Sequence, residues 1–305
     1  DITRWTQYDC MIASDWVTKK YGKEIADQLV APIFNGFYFQ SINQSSATLA
    51  AALLAFSAFN PKTMTLSSGM GSLPSKLANE LKIQTSVSVS NIVERSDGVK
   101  ITSNSGEFSA KHVIVTAPAP MAKNLIQNPD MQTQRLLQTP YSSTILISFI
   151  INSNWSPPSN VKIAYGLLYK PTLNSKISAI ALENNKHPER KIRGFLINVM
   201  LSDSYAKEVF HLSDEEIYQE IKTDIEKQLP TLYLHIHSKK IFRWQYAMPY
   251  TPIGRAKLVK EYYDTRQKNN RIWLAGDYLG FPWTDSAAQT GLKAANLVYQ
   301  NIFKK

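Results

Sequence analysis

The chain of 305 residues has one cysteine, Cys10, so no intrachain disulfide can form. No histidine is suggested beside Cys10 to activate it, which makes it a poor candidate nucleophile. Long apolar runs are missing too. The longest, "ATLAAALLAF" at 47–56, falls well short of the roughly 20 residues that a membrane-spanning helix needs. No secretory or transit pattern opens the chain, and the cysteine usage fits a reducing, cytoplasmic setting. There is no long block of one charge. The net charge is +10, but the basic residues come as scattered pairs such as Lys19-Lys20, Lys239-Lys240 and Lys304-Lys305. That pattern reads as a solubility charge and not as a nucleic-acid site, and it leaves room for peripheral contact with a membrane surface. Metal-ligand clusters are absent as well. His235 and His237 alternate on a probable strand, but no third ligand joins them. Scattered acids offer no carboxylate pair of the glycosidase kind. "GMGSLP" at 69–74 lacks both the third glycine of a dinucleotide fingerprint and the Gly-Lys-Ser/Thr ending of a phosphate loop, so it reads as a turn into a helix.

What is present is a globular composition, 44% hydrophobic and 19% charged. Residues 8–30 carry apolar positions at helical spacing, and residues 1–60 are expected to be mainly helical. Gly22 punctuates that segment, Pro32 is expected to close a helix, and a helix over 47–59 follows that is apolar nearly all round and so should be buried. From 69 onward the pattern changes. "TSVSVSNIVER" and "GVKITSNSG" alternate apolar and polar around Asp97-Gly98, a tight-turn signal. "HVIVTA" (112–117) is a β-branched run of the sort buried on both faces. A helical stretch over 123–138 precedes strand candidates at 143–152, 161–200 and 233–249. Ser213 and Glu216 make a capping box for a helix over 214–229. A strand at 271–275 and a helix from about 285 to 303 end the chain.

The C-terminal "RIWLAGDYLGFPWTDSAAQTGLKAANLV" is the most informative stretch. A buried strand runs out to Gly276 and Asp277. Ligands of open α/β sheets sit beyond the carboxyl ends of strands. Gly276 would let a ligand approach the backbone, and Asp277 could accept hydrogen bonds from sugar-like hydroxyls. Ser286, Ala287 and Ala288 open an uncrowded helix whose free N–H groups suit an anionic ligand atom. The same residues also suit a plain loop cap and a tightly packed helix, and spacing does not choose between the two.

Four stretches resemble, in order, the flavin-containing amine oxidase and protoporphyrinogen oxidase superfamily: "GMGSLPSKLANEL", "VSVSNIVERSDGVKITSNSGEFSAKHVIVTAPAP", "FRWQYAMPYTPIG" and "LAGDYLGFPWTDSAAQTGLKAA". The last is the most specific. The resemblance implies an α/β fold in two interleaved parts and an FAD cofactor. The FAD-binding part would be discontinuous, 63–122 and 267–305, with 1–62 and 123–266 forming a mixed-sheet substrate part. It implies that Val89 meets the adenine through its backbone and that Ala117 and Pro118 line the cofactor groove. Gly276 and Asp277 would meet the pyrophosphate and ribityl chain, and Ser286, Ala287 and Ala288 the pyrimidine edge of the ring. Trp244 would lie near the ring system, and Tyr250 would face the substrate. The implied activity is an FAD-dependent oxidation, by hydride transfer, of a small amine or a conjugated apolar compound.

Two departures qualify that picture. The family's opening βαβ unit, with its G-x-G-x-x-G, has no counterpart here; because residue 1 is Asp, we expect a preceding segment or a partner to supply it. Its loss would leave strand edges unpaired. The family's amine oxidases often carry a lysine near the flavin on the strand matching 141–149, and this chain has none there. That leans towards desaturase-like or porphyrinogen-oxidase-like work. The alternative is a non-catalytic fragment or subunit that binds a partner or lipid.

Overall fold

Helical spacing builds the N-terminal segment. The computed structural model describes residues 1–59, 64–172, 175–186, 194–266 and 270–303; the expected part boundaries at 63 and 267 and the pair Lys304-Lys305 lie outside them. A 3-10 turn, Ile2–Tyr8, leads to α1 (Ala13–Tyr21), which ends at Gly22 with φ 94°. Next, α2 (Lys23–Ile25) passes through a π turn, Ala26–Val30, into α3 (Ala31–Tyr38). Pro32 therefore does not close a helix. It follows the π turn directly, inside one helical run over 23–38, where the backbone bonding is already rearranged. α4 (Ala47–Ala58) starts at Ser46, whose hydroxyl accepts from the Thr48 N–H at 3.2 Å. Only its first half is buried. Phe56 is exposed, against the expectation from its all-round apolar sequence.

α5 (Ser72–Ala78) begins after the glycine-rich turn. Strands β1 (Val89–Glu94), β2 (Val99–Ser103) and β3 (Gly106–Ala110) form an antiparallel sheet. β3 was not foreseen, because "GEFSA" has no strong apolar alternation. β4 (Val113–Val115) follows, then α6 (Ala119–Leu125) and α7 (Met131–Leu137). The expected single helical stretch is thus two helices, divided where Pro129 follows Asn128 at φ 47°.

The next strands are β5 (Tyr141–Ile151), β6 (Gly166–Leu168) and β7 (Ile177–Leu182). After α8 (Glu183–Lys186) come β8 (Phe195–Leu201), α9 (Asp203–Val209), α10 (Asp214–Gln228) and β9 (Ile236–Pro249). The sheet order is β6-β7-β8-β5-β9, antiparallel throughout. Alternation on β5 sends Ile145, Ile147, Phe149 and Ile151 into one core with Ile217, Ile221 and Ile225 of α10. The predicted Ser213–Glu216 capping box starts α10. On β9, Lys239 and Arg243 reach across to Glu215 and Asp214, at 2.6 and 2.5 Å. His235 lies in a 3-10 turn before β9 with Nδ1 3.2 Å from Asn154, so it does not share a strand face with His237.

α11 (Arg255–Asp264), β10 (Ile272–Leu274) and α12 (Thr284–Phe303) complete the described chain. β10 pairs in parallel with β4, Ile272 beside Val113 and Leu274 beside Val115. This two-stranded sheet lies in the other main core, together with α1, α3, α4, α6 and α11. The N-terminal helices therefore pack with the β4–β10 pair, and the division by core differs from the two-part division drawn from the sequence. No helix among the described residues is long and apolar enough to cross a membrane.

Asp9 ties this core together. Its buried carboxylate accepts from the Ser46 hydroxyl and from the Lys257 N–H, both at 2.9 Å, so it serves the starts of α4 and α11 at once. Asp9→Ala should strand those donors and lower stability by about 2–3 kcal/mol, read as a shifted urea midpoint with an unchanged slope.

Candidate functional site

Parallel pairing places the carboxyl ends of β4 and β10 side by side. The Ala275 N–H donates to the Val115 carbonyl at 3.0 Å, one step beyond the last paired residues. From that common edge the chain leaves β4 through Ala117 and Pro118, both half-buried, with Pro118 capping α6. It leaves β10 through Gly276 and Asp277. A Cβ on Gly276 would lie 2.7 Å from the Tyr278 ring. In the structure this glycine thus makes room for the chain's own tyrosine. Its N–H donates to the Thr290 hydroxyl at 3.0 Å, which fixes the strand end against the second turn of α12.

Asp277 opens a 3-10 turn, Asp277–Leu279, and lines an open cleft of about 650 Å³. The other walls are Phe37 and Tyr38 of α3, Ala247 and Met248 of β9, and Pro282, Trp283, Thr284 and Ala287. These surfaces are mostly flat and apolar. The Trp283 indole N–H donates to the Tyr38 hydroxyl at 2.9 Å, and the Trp283 ring stacks on Phe281 with centroids 4.9 Å apart. Burial pushes the Tyr38 phenol up, partly offset by that hydrogen bond, so it is neutral at ordinary pH. Burial also pushes Asp277 up, to about 6. Hydrogen bonds from the Tyr278 and Asp277 N–H groups and the positive charge of Arg255 act in the opposite direction.

α12 begins at Thr284, one residue before the expected start near 285. The Ala287 N–H already donates to the Trp283 carbonyl at 3.2 Å, so the first-turn donors without helical partners belong to Thr284, Asp285 and Ser286. Ala287 lines the cleft with its methyl group, and Ala288 is exposed. Ser286 is buried, and its hydroxyl accepts from the Phe281 N–H at 3.0 Å, folding the loop back onto the helix.

The remaining predicted residues are not gathered at this cleft. Trp244 is 52% exposed on β9, opposite Thr144. Val89 starts β1. Tyr250 lines a separate polar cleft of about 590 Å³, where its hydroxyl donates to Asp203 at 2.7 Å. The structure therefore does not put Tyr250 with Asp277: the two line separate clefts, and α3 contributes residues to both. Sequence reasoning missed Phe37, Tyr38, Met248 and Trp283. The aromatic clusters "NGFYF" and "GFPW" and the "AMP" beside Trp244 were the available signals.

The Asp277 shift has a definite sign. Its folded pKa lies above the ordinary 3.8, so between about pH 4 and 6 the folded state keeps a proton that the unfolded chain releases. Stability contributed by this group falls as pH rises through that window, and the cost is complete above it. Asp277→Asn should therefore stabilise the protein by about 1–2 kcal/mol at pH 7 and give no gain below about pH 4, measured by urea unfolding at both values.

The sequence from 17 to 299 matches the family model described as flavin containing amine oxidoreductase. No curated protein sequence matches the chain. Similar solved structures include a protein from Exiguobacterium sp. 255-15 assigned as a protoporphyrinogen oxidase, at 18% identity and TM-score 0.77, covering 96% of this chain and 67% of that one. Cyclohexylamine oxidase from Brevibacterium oxydans IH-35A matches at 12% identity and TM-score 0.73, covering 97% and 69%. Putrescine oxidase bound to putrescine matches at 15% identity and TM-score 0.72, covering 96% and 69%. At these identities the structures speak for a shared α/β flavoprotein fold. Because the family match spans nearly all of the chain, the protein belongs to the flavin-containing amine oxidoreductases, whose cofactor is FAD.

Proposed function

We propose that this chain forms the ring-binding and substrate-facing portion of an FAD-dependent oxidoreductase. It would take a hydride from a C–H bond beside an amine or within a conjugated apolar substrate. The observation that carries the reading is a single cleft in which a half-buried aspartate, the start of a long helix and largely apolar walls meet. These residues fit a flavin. Asp277 lacks an ion-pair partner among the described residues and would accept from ribityl hydroxyls. The N–H groups of Thr284, Asp285 and Ser286 would face the ring edge where negative charge gathers. Trp283 and Tyr38, held by their mutual hydrogen bond, would keep one wall rigid. Bound flavin supplies the two-electron chemistry, and the protein positions and tunes it. Phe37, Ala247 and Met248 leave the remaining wall apolar, which suits exclusion of water from the reacting bond.

A second reading has its own support. Phe59, Met64, Leu77 and Leu81 are exposed, and the β4–β10 sheet has only two strands among the described residues. A surface of that kind suits a fragment that docks on a partner. Binding of FAD separates the two readings. Titration of the chain with FAD, followed by flavin fluorescence and by retained visible absorbance after gel filtration, should show binding. Asp277→Ala should weaken it about tenfold or more, the loss of one charge-assisted hydrogen bond. A folded chain that stays colourless and leaves flavin fluorescence unchanged would favour the docking fragment.

A further inference from the structure

Arg255 is badly placed for stability. It is 4% exposed, and its Nη2 has no hydrogen-bond partner. It is also the first residue of α11, where the helix dipole disfavours a cation. No ion pair joins it to a carboxylate among the described residues. An unpaired buried charge is among the costlier things a fold can keep, so it calls for a reason. Asp9 acts on it through charge, but the Asp9 carboxylate bonds to Ser46, Thr48 and the Lys257 N–H and makes no hydrogen bond to the guanidinium among the described residues.

The packing of α11 on β10 supplies a reason. Arg266 donates to the Ile272 carbonyl at 3.4 Å, and the Leu274 N–H donates to the Tyr262 hydroxyl at 3.0 Å. Rising residue numbers on the strand meet falling numbers on the helix, so the two elements run antiparallel. From Tyr262 back to Arg255 is two helical turns, about 10 Å. From Leu274 on to Asp277 is three extended residues, also about 10 Å. That register sets Arg255 level with Asp277, and the charge of each is felt at the other, at Asp277 after burial and the backbone N–H groups. Asp9, Tyr141 from β5 and Tyr278 are the other titratable groups that act on the guanidinium, and burial keeps both phenols neutral.

We propose that Arg255 is a positioning residue for the cofactor cleft: its buried guanidinium keeps the Asp277 side chain an ionised, acceptor-only carboxylate. The value to the cleft rests on reading it as a flavin site; the coupling of Arg255 to Asp277 does not. A protonated Asp277 would turn one oxygen into a donor and lose half of what ribityl hydroxyls need.

The test uses the full chain labelled with ¹³C at the aspartate side-chain carbons, with the Asp277 signal identified by its loss in Asp277→Asn. Wild type should titrate near pH 6. Arg255→Met should move that inflection upward, and Arg255→Lys should restore most of the wild-type value. If the Met variant fails to fold, Arg255→Gln provides a polar neutral side chain for the same measurement. An inflection in the neutral variant that matches wild type overturns the proposal. FAD titration is the second readout. Affinity lost at pH 7 in the neutral variant should return as pH is raised through its new inflection, which a purely structural defect would not do. If wild type binds no FAD, the flavin reading fails, while the carboxyl titration still decides the role of Arg255.

Discussion

The short parallel ladder between β4 and β10 is the constraint on which the site depends. It joins residues 113–115 to 272–274, segments separated by most of the chain. Parallel strands cannot be joined by a tight turn, and the long excursion between them holds the whole five-stranded sheet. Once the ladder is set, both chain exits point the same way. Ala117-Pro118 and Gly276-Asp277 then emerge together, and the Gly276–Thr290 hydrogen bonds tie that edge to α12. The cleft is therefore a product of strand pairing more than of any local motif.

Around that ladder the fold holds charges where a stability-optimised core would not. Asp9, Arg255 and Asp277 lie within one packed region, with Tyr141 and Tyr278 among them. Asp9 is explained by the helix starts it serves. Asp277 and Arg255 are not explained by structure alone, because neither forms an ion pair among the described residues. Perturbed, unpaired groups gather at functional sites because a ligand completes them. Here the incomplete groups stand next to a cleft lined by aromatic and apolar side chains, which is where a family cofactor would complete them.

Much of the fold was legible because its signals are local. The Ser213–Glu216 box, the Asp97-Gly98 turn and the alternation on β5 each specify structure within a few residues. Pro32 and Pro129 misled in opposite ways. The first was read as a stop and lies inside a continuous helical run just after a π turn; the second was passed over and divides two helices. Proline fixes φ and removes a donor, so its effect depends on how the backbone around it is bonded. The C-terminal half of the site was legible because strand, glycine, acid and helix follow one another in sequence. The other half was not. Phe37, Tyr38 and Met248 reach the cleft only through tertiary packing, and no spacing in the chain announces it. Tyr250 shows the converse: it lies two residues from Met248 but opens on a different cleft.

The helix start carries the last step. Sequence spacing put the useful N–H groups at Ser286, Ala287 and Ala288, but the ladder of α12 already uses that of Ala287 and leaves only the first of the three. The unused donors lie at Thr284 to Ser286, beside Trp283 and closer to the loop that begins at Asp277. This shift sharpens the electrostatics of the site. The positive end of a 20-residue helix and the negative Asp277 then flank the same short loop. A ligand with hydroxyls at one end and an electron-rich ring edge at the other matches that polarity, whereas a uniformly anionic ligand would meet repulsion at Asp277. Keeping Asp277 charged preserves this contrast, and a buried cation behind it is the simplest way for the fold to do so.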